Sequence, residues 1–200
     1  MFTALQALLN SLAVTFDLPI LDWIQAHLQC TFLDVTMPIV TLFGDGGVFW
    51  IAVAVVLLLF AKYRKTGFSM GMALVLGLLV CNILLKPQVA RIRPYNFQLQ
   101  EYGREITLLV KGLNDYSFPS GHTWSAVTGA WVITAANRKF GWWAIPLAAA
   151  LAFSRLYLFV HFPSDILSGA LIGAALGLAA VGLSRKLPDK IHRAYTKKRN

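Results

Sequence analysis

From Ile51 to Phe60 the sequence is unbrokenly apolar, inside a longer charge-free run from Gly46 to Ala61. A run of that kind must satisfy its backbone hydrogen bonds internally, so it reads as a membrane-spanning helix. Comparable runs recur over 67–85, 119–136, 141–160 and 163–183, and a shorter one within 19–43 is interrupted by Asp22, His27 and Asp34. Charged residues make up 14% of the chain and hydrophobic ones 57%, against about 25% and 45–50% in soluble domains. The expected fold class is all-α: a polytopic membrane protein with six transmembrane helices, forming a single membrane-embedded domain over residues 1–200.

Ahead of the first span, Leu5, Leu8, Leu9 and Leu12 share one helical face while Thr3, Gln6 and Asn10 share another. That pattern predicts an N-terminal interfacial helix over 1–16. The first basic residue is Lys62, so the basic start of a cleavable signal peptide is missing and none is expected. Of the eighteen Lys and Arg, twelve fall at 62–65, at 138–139 and in a basic tail over 185–200. The excess of positive charge on cytoplasmic loops places that side, with both termini, in the cytoplasm of a plasma (inner) membrane. Read this way, the net charge of +9 is a topology signal, and no nucleic-acid partner is implied. Cys30 and Cys81 lie far apart in apolar surroundings and read as buried free thiols or one disulfide, without metal-ligand spacing. Gly169, Gly173 and Gly177 form a stripe that suits close packing within the chain or a dimer seam.

The six remaining cations, Lys86, Arg91, Arg93, Arg104, Lys111 and Arg155, gather on the side that normally avoids positive charge. Lys86 and Arg93 are seven apart, so they would share a face on a continuing helix; Pro87 and Pro94 kink or stop that helix and aim them. By themselves they would be read as an interfacial basic anchor. In Ser117-Phe118-Pro119-Ser120-Gly121-His122, Pro119 is a helix start signal, which puts Ser120, Gly121 and His122 in a first turn with free N–H groups. Such a turn is an anion seat. Arg155, at a depth where a charge costs about 2.5–3.5 kcal/mol, should face the bundle interior. In His161-Phe-Pro163-Ser-Asp165 the restart at Pro163 leaves His161 outside the helix, and Asp165 can reach one imidazole nitrogen. That pairing suits a histidine nucleophile or base. A His, His, Asp metal site is the rival reading, opposed by the surrounding cations.

Lys86-x6-Arg93-Pro94, Pro119-Ser120-Gly121-His122 and Ser154-Arg155-x5-His161-x3-Asp165 together resemble the three-part signature of the type 2 phosphatidic acid phosphatase (lipid phosphate phosphatase) superfamily. The resemblance implies metal-independent hydrolysis of a phosphomonoester or diphosphate, with no cofactor, through a phosphohistidine. It assigns His161 as nucleophile, Asp165 as its orienting partner and His122 as proton donor to the leaving oxygen. Lys86, Arg93, Ser120, Gly121 and Arg155 would hold phosphate oxygens. Arg91 lies outside the signature and receives no catalytic role.

The motif ends converge on the extracytoplasmic face, where a lipid headgroup would lie, so the expected partners are the bilayer and a membrane lipid phosphate. The loop over 95–118 is amphipathic and reads as a lid in the headgroup region. A polyprenyl diphosphate leads the expected substrates, followed by phosphatidic acid and phosphatidylglycerophosphate, with Arg91 and Lys111 as spare cations for a second phosphate. A lipid phosphoryl transferase and a non-catalytic lipid-phosphate binding or transport protein remain as alternatives.

Overall fold

The computed structural model describes residues 2–186, all of whose regular elements are helical. The basic tail is outside the described residues from 187 onward. In chain order the helices are α1 (Phe2–Leu12), α2 (Leu18–Leu28), α3 (Thr31–Leu42), α4 (Val48–Leu59), α5 (Arg64–Gly77), α6 (Lys86–Val89), α7 (Pro94–Tyr102), α8 (Gly121–Ala136), α9 (Arg138–Tyr157) and α10 (Pro163–Lys186).

Helix α8 is the axis of the bundle, packed against α9, α10 and α5, while α4 lies against α5. Its buried face is largely small or short, with Ser125, Ala126, Gly129, Ala130 and Val132, which lets neighbouring backbones approach closely. The glycine stripe of α10 serves this contact: a Cβ on Gly173 would lie 2.5 Å from the Trp124 carbonyl oxygen. Those glycines therefore pack within the chain. Trp50, Met70, Trp124, Ile133 and Leu151 fill the centre. A second cluster of Leu18, Leu21, Phe97, Phe159 and Phe162 ties α2 to α7 and to the α9–α10 linker. Outside, Leu59 and Leu171 are 73% and 74% exposed, and Phe32 72%. Apolar side chains standing out all round a bundle suit contact with lipid.

Among the described residues, three helical segments are long and apolar enough to cross a membrane: Ala4–Leu28, Ala61–Tyr102 and Pro163–Ser184. The pair Thr31–Leu42 and Asp45–Leu59, bent by 41°, makes a fourth if it counts as one span. The elements differ from the expected ones in four places, one being α7, which makes the first part of the expected loop over 95–118 helical. The helix beginning at Phe2 does not stop near residue 16 as a separate interfacial piece. It runs through a π-turn at Ala13–Asp17 into α2: Val14, Phe16, Leu18 and Ile20 carry the apolar run onward, and Pro19, which has no N–H to continue the ladder, follows directly on that turn. The expected span over 19–43 is broken at Gln29 and Cys30, both extended. Helix α8 begins at Gly121 rather than Pro119, with Ser120 as N-cap accepting from the Thr123 N–H. Both cysteines are free, Cys30 exposed and Cys81 buried.

Candidate active site

Lys86 and Arg93 converge by a route other than a shared helical face. Helix α6 ends at Val89, Ala90 takes the left-handed conformation at φ 48°, and Arg93 is extended ahead of Pro94. The reversal at Ala90 swings Arg93 back beside Lys86, and Asp115 takes a bond from each. Arg155 enters from the last turn of α9, buried as expected, and its Nη1 donates to Thr41 Oγ1. His161 lies between α9 and α10 in a linker reversed at Phe159, φ 57°. Its Nε2 stands 3.3 Å from Arg93 Nη1, which itself donates to the Val160 carbonyl at 2.7 Å. On the opposite side of the ring, Nδ1 is 3.5 Å from Asp165 Oδ2, close enough for charge to be felt but longer than a firm hydrogen bond.

Lys86, Arg93, Gly121, His122, Arg155 and His161 all line one cavity of about 690 Å³. Ser120 and Asp165, both fully buried, stand behind it. The Ser120 N–H is not free as expected: it donates to the Asp165 carbonyl at 3.2 Å, and the Ser120 hydroxyl receives the Thr123 hydroxyl at 3.0 Å. Ser120 thus caps α8, while Gly121 and His122 hold the first two helical positions, whose N–H groups an α-helix leaves unused. The seat is a helix N-terminus flanked by three cations.

Four carboxylates complete the site, and only Asp165 came from a motif. Asp45 Oδ1 meets His122 Nε2 at 2.9 Å. Gly44 permits this closeness, since a Cβ there would lie 2.3 Å from the His122 ring. Asp115 bridges Lys86 and Arg93 from the loop between α7 and α8. Asp17, in the π-turn, is fully buried against Arg91. A signal existed for two of them, because a carboxylate inside or between apolar segments demands a partner; Asp115, in a polar loop, gave none. Arg91 corrects the expectation that it could hold a second phosphate: its guanidinium is sealed between Asp17 and Asp165.

Burial drives the pKa of His161 well below its usual value, and the charges of Arg93, Arg155 and Lys86 push the same way. Burial and the neighbouring cations thus both favour the neutral ring. For Asp115, partial burial raises the pKa, but the Lys86 hydrogen bond and the Arg93 and Lys86 charges prevail and hold it at about 2. Asp115 is a standing anion on two cations that an oxyanion would use. Asp115→Asn is therefore expected to lower the vanadate concentration for half-inhibition by roughly threefold to fivefold, the scale of a half-exposed ion pair. Weaker vanadate binding instead would mean that Asp115 holds the two cations in place rather than competing for them.

A buried histidine, three cations and a helix N-terminus thus share one cavity inside an apolar helical bundle, the architecture of a membrane protein. Residues 62–188 match the model of the PAP2 superfamily, and the chain belongs to that family. It is 32% identical over 142 residues to an undecaprenyl-diphosphatase of Sulfolobus acidocaldarius, covering 70% of this chain and 66% of that one. It is also 32% identical to a lipid A 4'-phosphatase of Porphyromonas gingivalis, covering 64% and 58%. The chain thus spans two thirds or less of these relatives' length. Among solved structures, a PAP2-type phosphatidylglycerolphosphate phosphatase from Bacillus subtilis superposes with a TM-score of 0.73 at 25% identity, covering 94% of each chain. Aquifex aeolicus LpxE gives 0.72 at 26%, covering 84% of this chain and 96% of its own.

Proposed function

We propose that this chain is an integral membrane phosphatase that hydrolyses a lipid phosphate or diphosphate at the extracytoplasmic face through a phosphohistidine on His161. One observation carries the reading. The cavity that holds Lys86, Arg93, Arg155 and His161 continues between α4 and α5, where Ile51, Val55, Leu58, Leu74, Val75 and Leu78 line it. A charged headgroup and an apolar chain would each find a matching surface in one continuous space. The names of the relatives, which concern undecaprenyl diphosphate, lipid A and phosphatidylglycerophosphate, favour the same substrate class. A polyprenyl diphosphate is the first candidate. The distribution of the basic residues supports the extracytoplasmic placement.

In this reading His161 Nε2 attacks phosphorus while Lys86, Arg93, Arg155 and the Gly121 and His122 amides neutralise the non-bridging oxygens. Phosphoryl transfer asks mainly for such positioning and charge stabilisation. The phosphorus–oxygen bond to the lipid breaks as the nitrogen–phosphorus bond forms, and His122, acting as the imidazolium that its pairing with Asp45 favours, gives a proton to the departing oxygen and becomes neutral. Asp165 stabilises the cationic ring. Water, deprotonated by His122, then attacks the phosphohistidine and releases inorganic phosphate. Ser120 contributes by capping the helix that presents the amides.

The test is phosphate release by the purified chain from a panel of lipid mono- and diphosphates, with and without a lipid acceptor. Release without acceptor, unaffected by EDTA and inhibited by vanadate, is the expected result. Loss of turnover on chelation, restored by zinc or magnesium, would overturn the metal-free mechanism; release that requires the acceptor would make the protein a transferase.

A further inference from the structure

We propose that Asp17 and Arg91 are positioning residues for the reaction, acting on His161 through Asp165, so that the N-terminal helix is part of the catalytic apparatus. The inference rests on the reading of His161 as nucleophile. Asp17 lies outside the residues that match the family model, in the π-turn between α1 and α2.

The side chains of Asp17, Arg91 and Asp165 have no exposed surface at all. Arg91 Nη1 donates to Asp165 Oδ1 at 2.6 Å and to Ser164 Oγ at 2.8 Å. Its Nη2 donates to Asp17 Oδ2 at 2.7 Å and to the Leu9 carbonyl at 2.8 Å. Ser164 closes the circuit, its N–H donating to Asp17 Oδ1 at 2.8 Å and its hydroxyl to Oδ2 at 2.7 Å. The guanidinium carbon sits 3.9 Å from the centre of the Phe162 ring. Asp165 Oδ1 is thereby held from behind. Its Oδ2 is left to accept from the Phe162 N–H at 2.9 Å and from the Ser117 hydroxyl, and to face His161 Nδ1.

Geometry alone would need only Arg91; the charge count explains Asp17. A lone guanidinium on Asp165 would cancel the negative charge that His161 draws on as its ring becomes cationic during attack. A second carboxylate on the same guanidinium leaves the buried set of three with a net charge of −1. In a medium of low dielectric that surplus is strongly felt one residue contact away. Asp17 therefore sets how well Asp165 supports the nucleophile, while the phosphate seat, whose cations make no hydrogen bond to Asp17, is left alone.

Asp17→Asn keeps the shape and removes the charge. In single-turnover phosphoenzyme formation on an aryl phosphate, it is expected to lower the rate roughly 10–100-fold, the range typical of groups that orient a reacting side chain from behind. The KM for the lipid substrate should stay within about twofold, because binding and chemistry separate in this way when only the transition state is affected. In an Asp165→Asn background the further loss should vanish, since residues acting along one line do not add. Ser164→Ala, a milder cut in the same circuit, should show a smaller loss that likewise disappears in that background, and it keeps the test open if Asp17→Asn does not fold. An unchanged rate in Asp17→Asn, or an equal loss in both backgrounds, would overturn the proposal. Phosphoenzyme formed by His161→Ala at the wild-type level would instead overturn the assignment of the nucleophile.

Discussion

His161→Ala should abolish turnover and the acid-labile phosphoenzyme with every substrate, whereas the damage done by His122→Ala should depend on the leaving group. The asymmetry follows from the proposed roles. In the proposed mechanism His161 Nε2, which stands 3.3 Å from Arg93 Nη1, is the atom that attacks phosphorus, and His122 has a different task. His122, with Nε2 on Asp45 at the cavity wall, is needed only as far as the departing oxygen needs a proton. An alkyl alkoxide leaves poorly, and general acid assistance is worth about 10²–10⁴-fold; a nitrophenolate leaves unaided. His122→Ala should therefore lose about that factor on a lipid monophosphate, less on a lipid diphosphate, and little in phosphoenzyme formation on an aryl phosphate. Phosphoenzyme should then accumulate, because the base for the incoming water is gone. Stopped-flow phosphate release and acid-quench trapping on the three substrates measure both steps. An equal loss on all three would make His122 a phosphate ligand rather than a proton donor.

Asp165→Asn should reduce kcat on the order of 10⁴-fold, the scale of the corresponding change in the serine protease triad, and should also destabilise the fold. The two effects have separate causes. For the chemistry, the amide cannot support positive charge on His161. For the fold, Asp165 is a junction: Oδ1 holds Arg91, while Oδ2 accepts from Ser117 and from the Phe162 N–H. An amide NH₂ in place of Oδ2 turns the Phe162 N–H from a satisfied donor into a donor facing a donor. A buried guanidinium that loses one of its two carboxylates is left partly uncompensated, and breaking such a pair commonly costs about 3–5 kcal/mol. Thermal unfolding in detergent should thus shift downward along with the loss in kcat normalised to folded protein. A near-wild-type kcat in the folded fraction would reduce Asp165 to a structural junction.

Much of the site was legible because its chemistry runs in short motifs whose local structure is decided within a few residues. Ser120 before a glycine, Pro163 before an acid and Arg155 at depth in an apolar helix each commit a backbone or a charge without distant partners. The glycine stripe on α10 was legible for the same reason, since only close helix packing uses such spacing. The shared face expected of Lys86 and Arg93 failed because a helical wheel presumes a continuing helix. Ala90 leaves the helix in a left-handed conformation that its residue type does not advertise.

The sequence by itself determined the helical membrane class, the bundle's small-residue contacts and the six groups that line the cavity. Each is a property of residue type and spacing along one segment. Only the tertiary structure decided what answers those groups. Asp45, Asp115 and Asp17 reach His122, Lys86 and Arg91 across separations of 77, 29 and 74 residues, and no periodicity encodes a pairing made by folding. The same holds for Arg91, whose position beside Arg93 suggested a phosphate ligand. Beyond the left-handed turn at Ala90 the chain puts Arg93 in the cavity wall and Arg91 in the closed space between Asp17 and Asp165. Burial between two carboxylates, rather than residue type, made one cation available to an oxyanion and the other a brace for Asp165.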